Sequence, residues 1–111
     1  MSAMRIAIRD NQTAFRPCEQ IEGTVSWSFG DRVPEVVELR LFWYTRGRGT
    51  QDVSVVENLH FDRPRAREVR PFCLRLPYAP YSFGGQLVSL TWAVELVAAS
   101  PEAVERVEIV L

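Results

Sequence analysis

Hydrophobic residues recur at every second position along nearly the whole chain, and that period limits the fold before anything else does. A period of two sends successive side chains to opposite faces of a strand, whereas a helix needs a period of 3.6. Met4, Ile6 and Ile8 alternate with Arg5, Ala7 and Arg9, and Ile21, Gly23, Val25 and Trp27 alternate with Glu22, Thr24, Ser26 and Ser28. Val37, Leu39, Leu41 and Trp43 form one face of a third run, whose other face carries Glu38, Arg40, Phe42 and Tyr44. Between residues 52 and 60 the alternation of Val53, Val55, Val56 and Leu59 slips by one, which predicts a bulged strand. Phe72, Leu74 and Leu76 resume the pattern. The longest run sets Val88, Leu90, Trp92, Val94 and Leu96 against Ser89, Thr91 and Glu95, and Val107, Ile109 and Leu111 close the chain. Residues 101–108 are the nearest thing to a helix, and they too alternate better than they spiral.

Turn chemistry separates these runs about every ten residues: Asn11-Gln12-Thr13, a bend at Phe15-Arg16-Pro17, Gly30-Asp31, a glycine loop at residues 46–49, and Ser100-Pro101. Residues 62–70, rich in arginine and containing Pro64, read as a loop or frayed edge, and residues 77–85 as a connection that is rigid at its prolines and flexible at its glycines. Seven or eight short strands so spaced predict an all-β, antiparallel, immunoglobulin-like sandwich. The 111 residues make room for one domain, 1–111.

Composition excludes more than it assigns. The net charge of −1 argues against a general attraction to nucleic acid or to anionic membrane, and no run approaches the ~20 apolar residues of a membrane span. No signal-like segment opens the chain, so a cytoplasmic location and reduced thiols are expected. All thirteen basic residues are arginine. They are scattered, which fits GC-rich coding better than selection for anion recognition. Cys18 and Cys73 are far apart in sequence and share no motif with His60, short of the roughly four clustered ligands of a zinc site. No metal and no cofactor is expected.

Four segments resemble the arrestin fold, in the form of a single arrestin-like domain. Residues 15–25 look like the family's opening of aromatic, Pro, Gly, Glu, Val, Gly and Val, with Cys18 standing where the family usually has glycine. The Leu39-Arg40-Leu41 strand precedes the glycine loop, Phe72-Cys73-Leu74-Arg75-Leu76-Pro77 matches the strand ending in Leu-Pro, and Tyr81 to Gly85 matches the turn before the long strand. The likeness also reaches the retromer arrestin-like subunit and bacterial sporulation-control proteins. It implies a sandwich in which Gly23 permits close backbone approach. Arrestins carry two such domains, so their interdomain polar core does not transfer to one.

The candidates for chemistry are few. His60 lacks a nucleophile elbow near any serine, and Asp52, Glu57 and Asp62 lack the spacing of a calcium loop. Arg46-Gly47-Arg48-Gly49-Thr50 has neither the ending nor the following helix of a phosphate loop. The protein is therefore expected not to be an enzyme. The expected function is protein–protein interaction as an adaptor or scaffold, with an unidentified protein partner or a second copy taken up through edge strands. Residues 5–9 and 106–111 are the strands to watch, and a homodimer would supply a second domain. Phe42 and Tyr44 form a binding patch if exposed, or ordinary packing if covered. The alternative is a module for an anionic small molecule or phospho-ligand, contacted by Arg46, Arg48, Arg63, Arg65 and Arg67.

Overall fold

The alternating segments become eight strands in the computed structural model, which describes residues 3–47, 51–85, 87–99 and 103–111. They are β1 (Ala3–Ile8), β2 (Gln20–Ser28), β3 (Val36–Gly47), β4 (Val53–Asp62), β5 (Arg67–Arg75), β6 (Phe83–Gly84), β7 (Val88–Ala98) and β8 (Ala103–Ile109). One sheet has the order β1-β2-β5. The other runs β4-β3-β7, and both β6 and β8 line the far edge of β7. All strand pairs are antiparallel, and an isolated parallel bridge joins Ala14 to Val110. No helix among the described residues is long and apolar enough to cross a membrane.

The core lies between the two sheets, where the inward residues of each alternation meet. Ile21, Val25, Leu74, Val37, Leu39, Leu41, Trp92, Val94 and Leu96 are all fully or almost fully buried. Ends of strands are tied by side chains that alternation alone does not reveal. Trp27 donates its indole N–H to the Arg65 carbonyl at 2.9 Å, and Trp92 donates to the Pro80 carbonyl at 2.7 Å. Such bonds satisfy the polar edge of an otherwise apolar ring.

Two local expectations change and one holds. Arg46 and Gly47 continue β3 rather than open the glycine loop, because β7 pairs with them through Ser89 and Val88. Arg48, Gly49 and Thr50 lie outside the described residues, as do Ser100 and Pro101 of the expected last turn. Arg67 to Arg70 are strand, not loop, because β2 supplies partners for them from Val25 to Ser28. Their charges sit on an edge strand and leave the ladder intact. The slip at residues 55–56 is a bulge, seen as a register shift opposite Leu41 and Phe42.

Cys18 occupies the left-handed region with φ of 65°, in the turn that leads into β2. An L-residue there carries a cost of about 1 kcal/mol that glycine escapes. Cys18→Gly is therefore expected to raise stability by up to about 1 kcal/mol, less the extra freedom glycine gives the unfolded chain. Urea unfolding checks this; a loss of stability would mean that the thiol makes a contact worth more than the strain. The other thiol is remote. Cys18 N–H donates to Pro77 C=O while Cys73 pairs with Glu22, so about four strand residues, roughly 13 Å, separate the two.

Two carboxylates staple turns. Glu19 accepts from the Gln12 side chain and the Arg16 N–H, and Glu68 from the Arg70 guanidinium and the Arg65 N–H; those bonds hold both carboxyls below their ordinary value. A lowered folded-state value stabilises the fold above the ordinary carboxylate range and loses that contribution as pH falls through the folded value. Both groups are half-buried and within reach of solvent screening, so the effect is small. Stability should decline from about pH 4 downward, and the Glu19→Gln/Glu68→Gln double variant should show a flatter acid limb in urea titrations taken at successive pH values.

Candidate functional site

The outer face of the larger sheet carries an aromatic cluster where solvent-facing residues would ordinarily be polar. Phe42 and Tyr44, two positions apart on β3, point the same way by strand geometry. Their rings lie 6.0 Å apart and 30° from parallel. Arg106 of β8 reaches across β7 and lays its guanidinium over both, 5.1 Å from the Phe42 centroid and 5.6 Å from that of Tyr44. Phe42 is thereby buried, while Tyr44 stays half-buried. Phe42 is covered and Tyr44 partly so, and the cover is a strand side chain rather than a loop.

Arg106 is fixed in that position. Glu95 accepts from its Nε at 3.0 Å and its Nη2 at 2.7 Å, and this pairing raises the arginine's already high pKa. The Tyr44 hydroxyl donates to Glu108 at 3.0 Å. Arg46 lies 5.8 Å from the Tyr44 ring centroid, and its guanidinium meets no carboxylate within ion-pair distance among the described residues. Beside this shelf runs β4, an edge strand of the sheet, with Val53 65% exposed and Val55 49% exposed. Arg40, Phe42, Tyr44, Arg46, Val53 and Val55 line a shallow concavity of about 290 Å³. Because the Thr45 N–H donates to the Asp52 carbonyl, strand alternation turns the backbone groups of Val53 and Val55 away from β3, toward the open edge.

The arginines named from sequence do not gather. Arg46 stands at the hairpin end of β3 and β4. Arg63 and Arg65 stand in the loop beyond the other end of β4, and Arg67 begins β5. The length of the hairpin, roughly 30 Å, lies between the two groups. No small anion spans that distance, so Arg46 does not share a ligand site with Arg63, Arg65 and Arg67; Arg48 lies outside the described residues. Arg63, with φ of 51°, and Arg65 serve the loop through their backbones: the Arg63 N–H donates to Glu35 C=O, and Arg65 contributes both a donor and an acceptor.

The remaining candidates are structural. The His60 Nε2 lies 3.1 Å from Glu38 across the β3–β4 ladder. Asp52, Glu57 and Asp62 are strung along or just beyond β4, and among the described residues no three His, Cys, Asp or Glu side chains are grouped to hold a metal ion. Glu57 instead accepts from the Arg75 N–H at 3.1 Å, joining the edges of the two sheets. The strands marked for attention, β1 and β8, prove to be edges that flank one side of the sandwich. The end of β8 is occupied, because Phe15 N–H donates to Val110 C=O and Val110 N–H to Thr13 C=O, both at 2.8 Å. Sequence reasoning missed the part played by Arg106, Val53 and Val55. The slipped alternation of β4 was the available signal for an edge, and no local signal marks Arg106.

Eight antiparallel strands in this order, with glycine-mediated close packing on β2, define an arrestin-like sandwich. Among solved structures the chain resembles the crystal structure of Spo0M, a sporulation control protein from Bacillus subtilis, with a TM-score of 0.66 and 16% identity. The match covers 98% of this chain and 48% of Spo0M, so the chain spans about half the length of that protein. The likeness establishes the fold. No family model matches the chain, and no curated protein matches it by sequence.

Proposed function

We propose that this arrestin-like domain is a non-enzymatic interaction module that takes an extended segment of another polypeptide against the free edge of β4. The observation that carries the reading is the juxtaposition of outward-turned backbone groups at Val53 and Val55 with the Phe42–Tyr44 shelf and its concavity. An added strand would gain main-chain hydrogen bonds from the edge and set alternate side chains over the shelf. Apolar side chains would cover Val53 and Val55, and an acidic one would suit Arg46. Control of another protein by binding is the role such a module would perform, in keeping with the similarity to a sporulation control protein.

Peptides selected from a random display library on the domain provide the test, with binding sites mapped by amide shifts in NMR. Binders should be extended and should perturb Val53, Val55 and Tyr44, and Val55→Asp should weaken them about tenfold or more, from lost apolar burial. Raising the salt should change the affinity little. A steep loss with salt would favour the anionic-ligand reading in its remaining form, centred on Arg46. Solution mass at low and high salt then separates a foreign partner from a second copy, since only a dimer that Val55→Asp dissociates makes the copy itself the partner.

A further inference from the structure

Three arginines line the concavity beside β4, and two of them already have their counter-charges. Glu38 holds Arg40, and Glu95 holds Arg106. Glu108, a further carboxylate of this face, accepts from the Tyr44 hydroxyl. Arg46 stands apart: it is exposed, and no carboxylate lies within ion-pair distance of it among the described residues. Asp52 is near it across the hairpin, but Asp52 pairs with Thr45, and alternation sets its side chain on the face away from that of Val53. A lone exposed cation is ordinary. The position of this one is not, because it stands at the end of the open run of β4.

That run dictates where the side chains of an added strand fall. Phe42 pairs with Val55, Tyr44 with Val53 and Thr45 with Asp52, so Arg46 comes opposite Gln51, one step nearer the hairpin. Gln51, Val53 and Val55 are all exposed, and all three line the concavity. In an antiparallel pair the outward backbone groups of Val53 and Val55 each bond to one partner residue, and those two residues share the valines' face. They are about 7 Å apart, and apolar side chains there cover the valines. The next residue on that face falls beside Gln51, roughly 10 Å across the strands from the Arg46 backbone. A glutamate and an arginine together bridge such a gap, whereas a basic residue there would only add repulsion. Antiparallel pairing is the stronger per residue. It runs the partner toward the hairpin, so the acidic residue comes last.

We infer that the β4 edge selects extended segments in the order apolar-x-apolar-x-acidic, read from the N-terminus, with the apolar residues beside Val55 and Val53 and the acid on Arg46. This selectivity rests on the strand-addition reading above and gives it a direction and a charge. Arg46 is the specificity-determining residue. An exposed ion pair adds little to total affinity, so the salt dependence stays shallow, but reversing one member turns attraction into repulsion and separates one partner from another.

Display selection carried out in parallel on the unmodified protein and on Arg46→Glu tests this. Peptides taken by the first should carry Asp or Glu two positions after the second apolar residue; those taken by the variant should carry Lys or Arg there. An acidic binder should lose about fivefold or more on Arg46→Glu, and its counterpart with arginine in place of the acid should recover most of that loss on the variant. Arg32→Glu makes the same change of charge in the loop before β3, at the far end of that strand, and should leave both sets unaltered. Both arginines are exposed, so unfolding midpoints should match and exclude misfolding as the cause. Peptides that map to Val53 and Val55 but show no charge preference, the same preference on both proteins, or the acid at their N-terminal end would overturn the inference and leave strand addition standing. Absence of any binder at β4 would remove the strand-addition reading itself, and this selectivity with it.

Discussion

Gly23→Ala is expected to cost about 3 kcal/mol or more and to lower the melting temperature by roughly 15 °C. Gly23 sits in the middle of the central strand β2, opposite Ile8 on one side and Phe72 on the other. A Cβ there would overlap the Ala7 carbonyl oxygen and come within 3.0 Å of both the Ile8 Cα and the Phe72 ring. Two of those three atoms are backbone of β1, held in place by its pairing with β2, and cannot swing aside. Alanine would otherwise gain up to about 1 kcal/mol by restricting the unfolded chain, so the observed sign reports which term wins. Thermal and urea unfolding measure it; a cost below about 1 kcal/mol would show that β1 can slide to make room. The resemblance of residues 15–25 to the arrestin opening marked this glycine, and the physical reason is close approach rather than a turn.

Trp92→Ala should be more severe, costing about 3–5 kcal/mol through lost burial and the cavity left behind. The ring is fully buried, between Trp43 on β3 and Ile109 on β8 in register, and its N–H is taken by Pro80. For a domain of this size that loss is a large share of total stability, commonly 5–15 kcal/mol. Trp92→Phe retains most of the apolar area and forfeits the hydrogen bond, so about 1–2 kcal/mol is expected. The difference between the two substitutions separates packing from the bond. Trp92→Phe should also loosen the 77–87 connection, readable as faster amide exchange at Ser82 and Gly85.

The fold was largely legible because alternation encodes burial directly. Ile21, Val25, Leu39, Leu41, Trp92, Val94 and Leu96 all point where their parity says, and the slip at Val55-Val56 is the bulge. The first half of β5 was hidden, since Arg67 to Arg70 lack apolar alternation and become strand through β2 alone. The candidate surface was legible in part. Phe42 and Tyr44 were recognisable as aromatics on a polar face, but their cover comes from Arg106, 64 and 62 positions later, through a strand order that no local pattern contains. The gap between Arg46 and the 63–67 segment is likewise a product of the hairpin: residues near in sequence stand at its opposite ends. Between residues 76 and 94, parity correctly turned Trp92 and Leu90 inward. It could not show that Tyr78, Tyr81 and Leu87 face outward, because their direction follows the path of an irregular connection pinned by Leu111 and Trp92.

Three of the edge strands differ in how much of their backbone they leave open. The end of β8 is bridged by residues 13–15, and β5 carries Pro71 in mid-strand and gives the Arg75 N–H to Glu57. On β4 the bulge at Val56 bends the ladder and leaves Val53 to Val55 as the short run open to a partner. Under the proposed reading, one added strand fills that short run, so binding at this edge has a fixed one-to-one stoichiometry. A module that binds in that way caps or competes rather than cross-links.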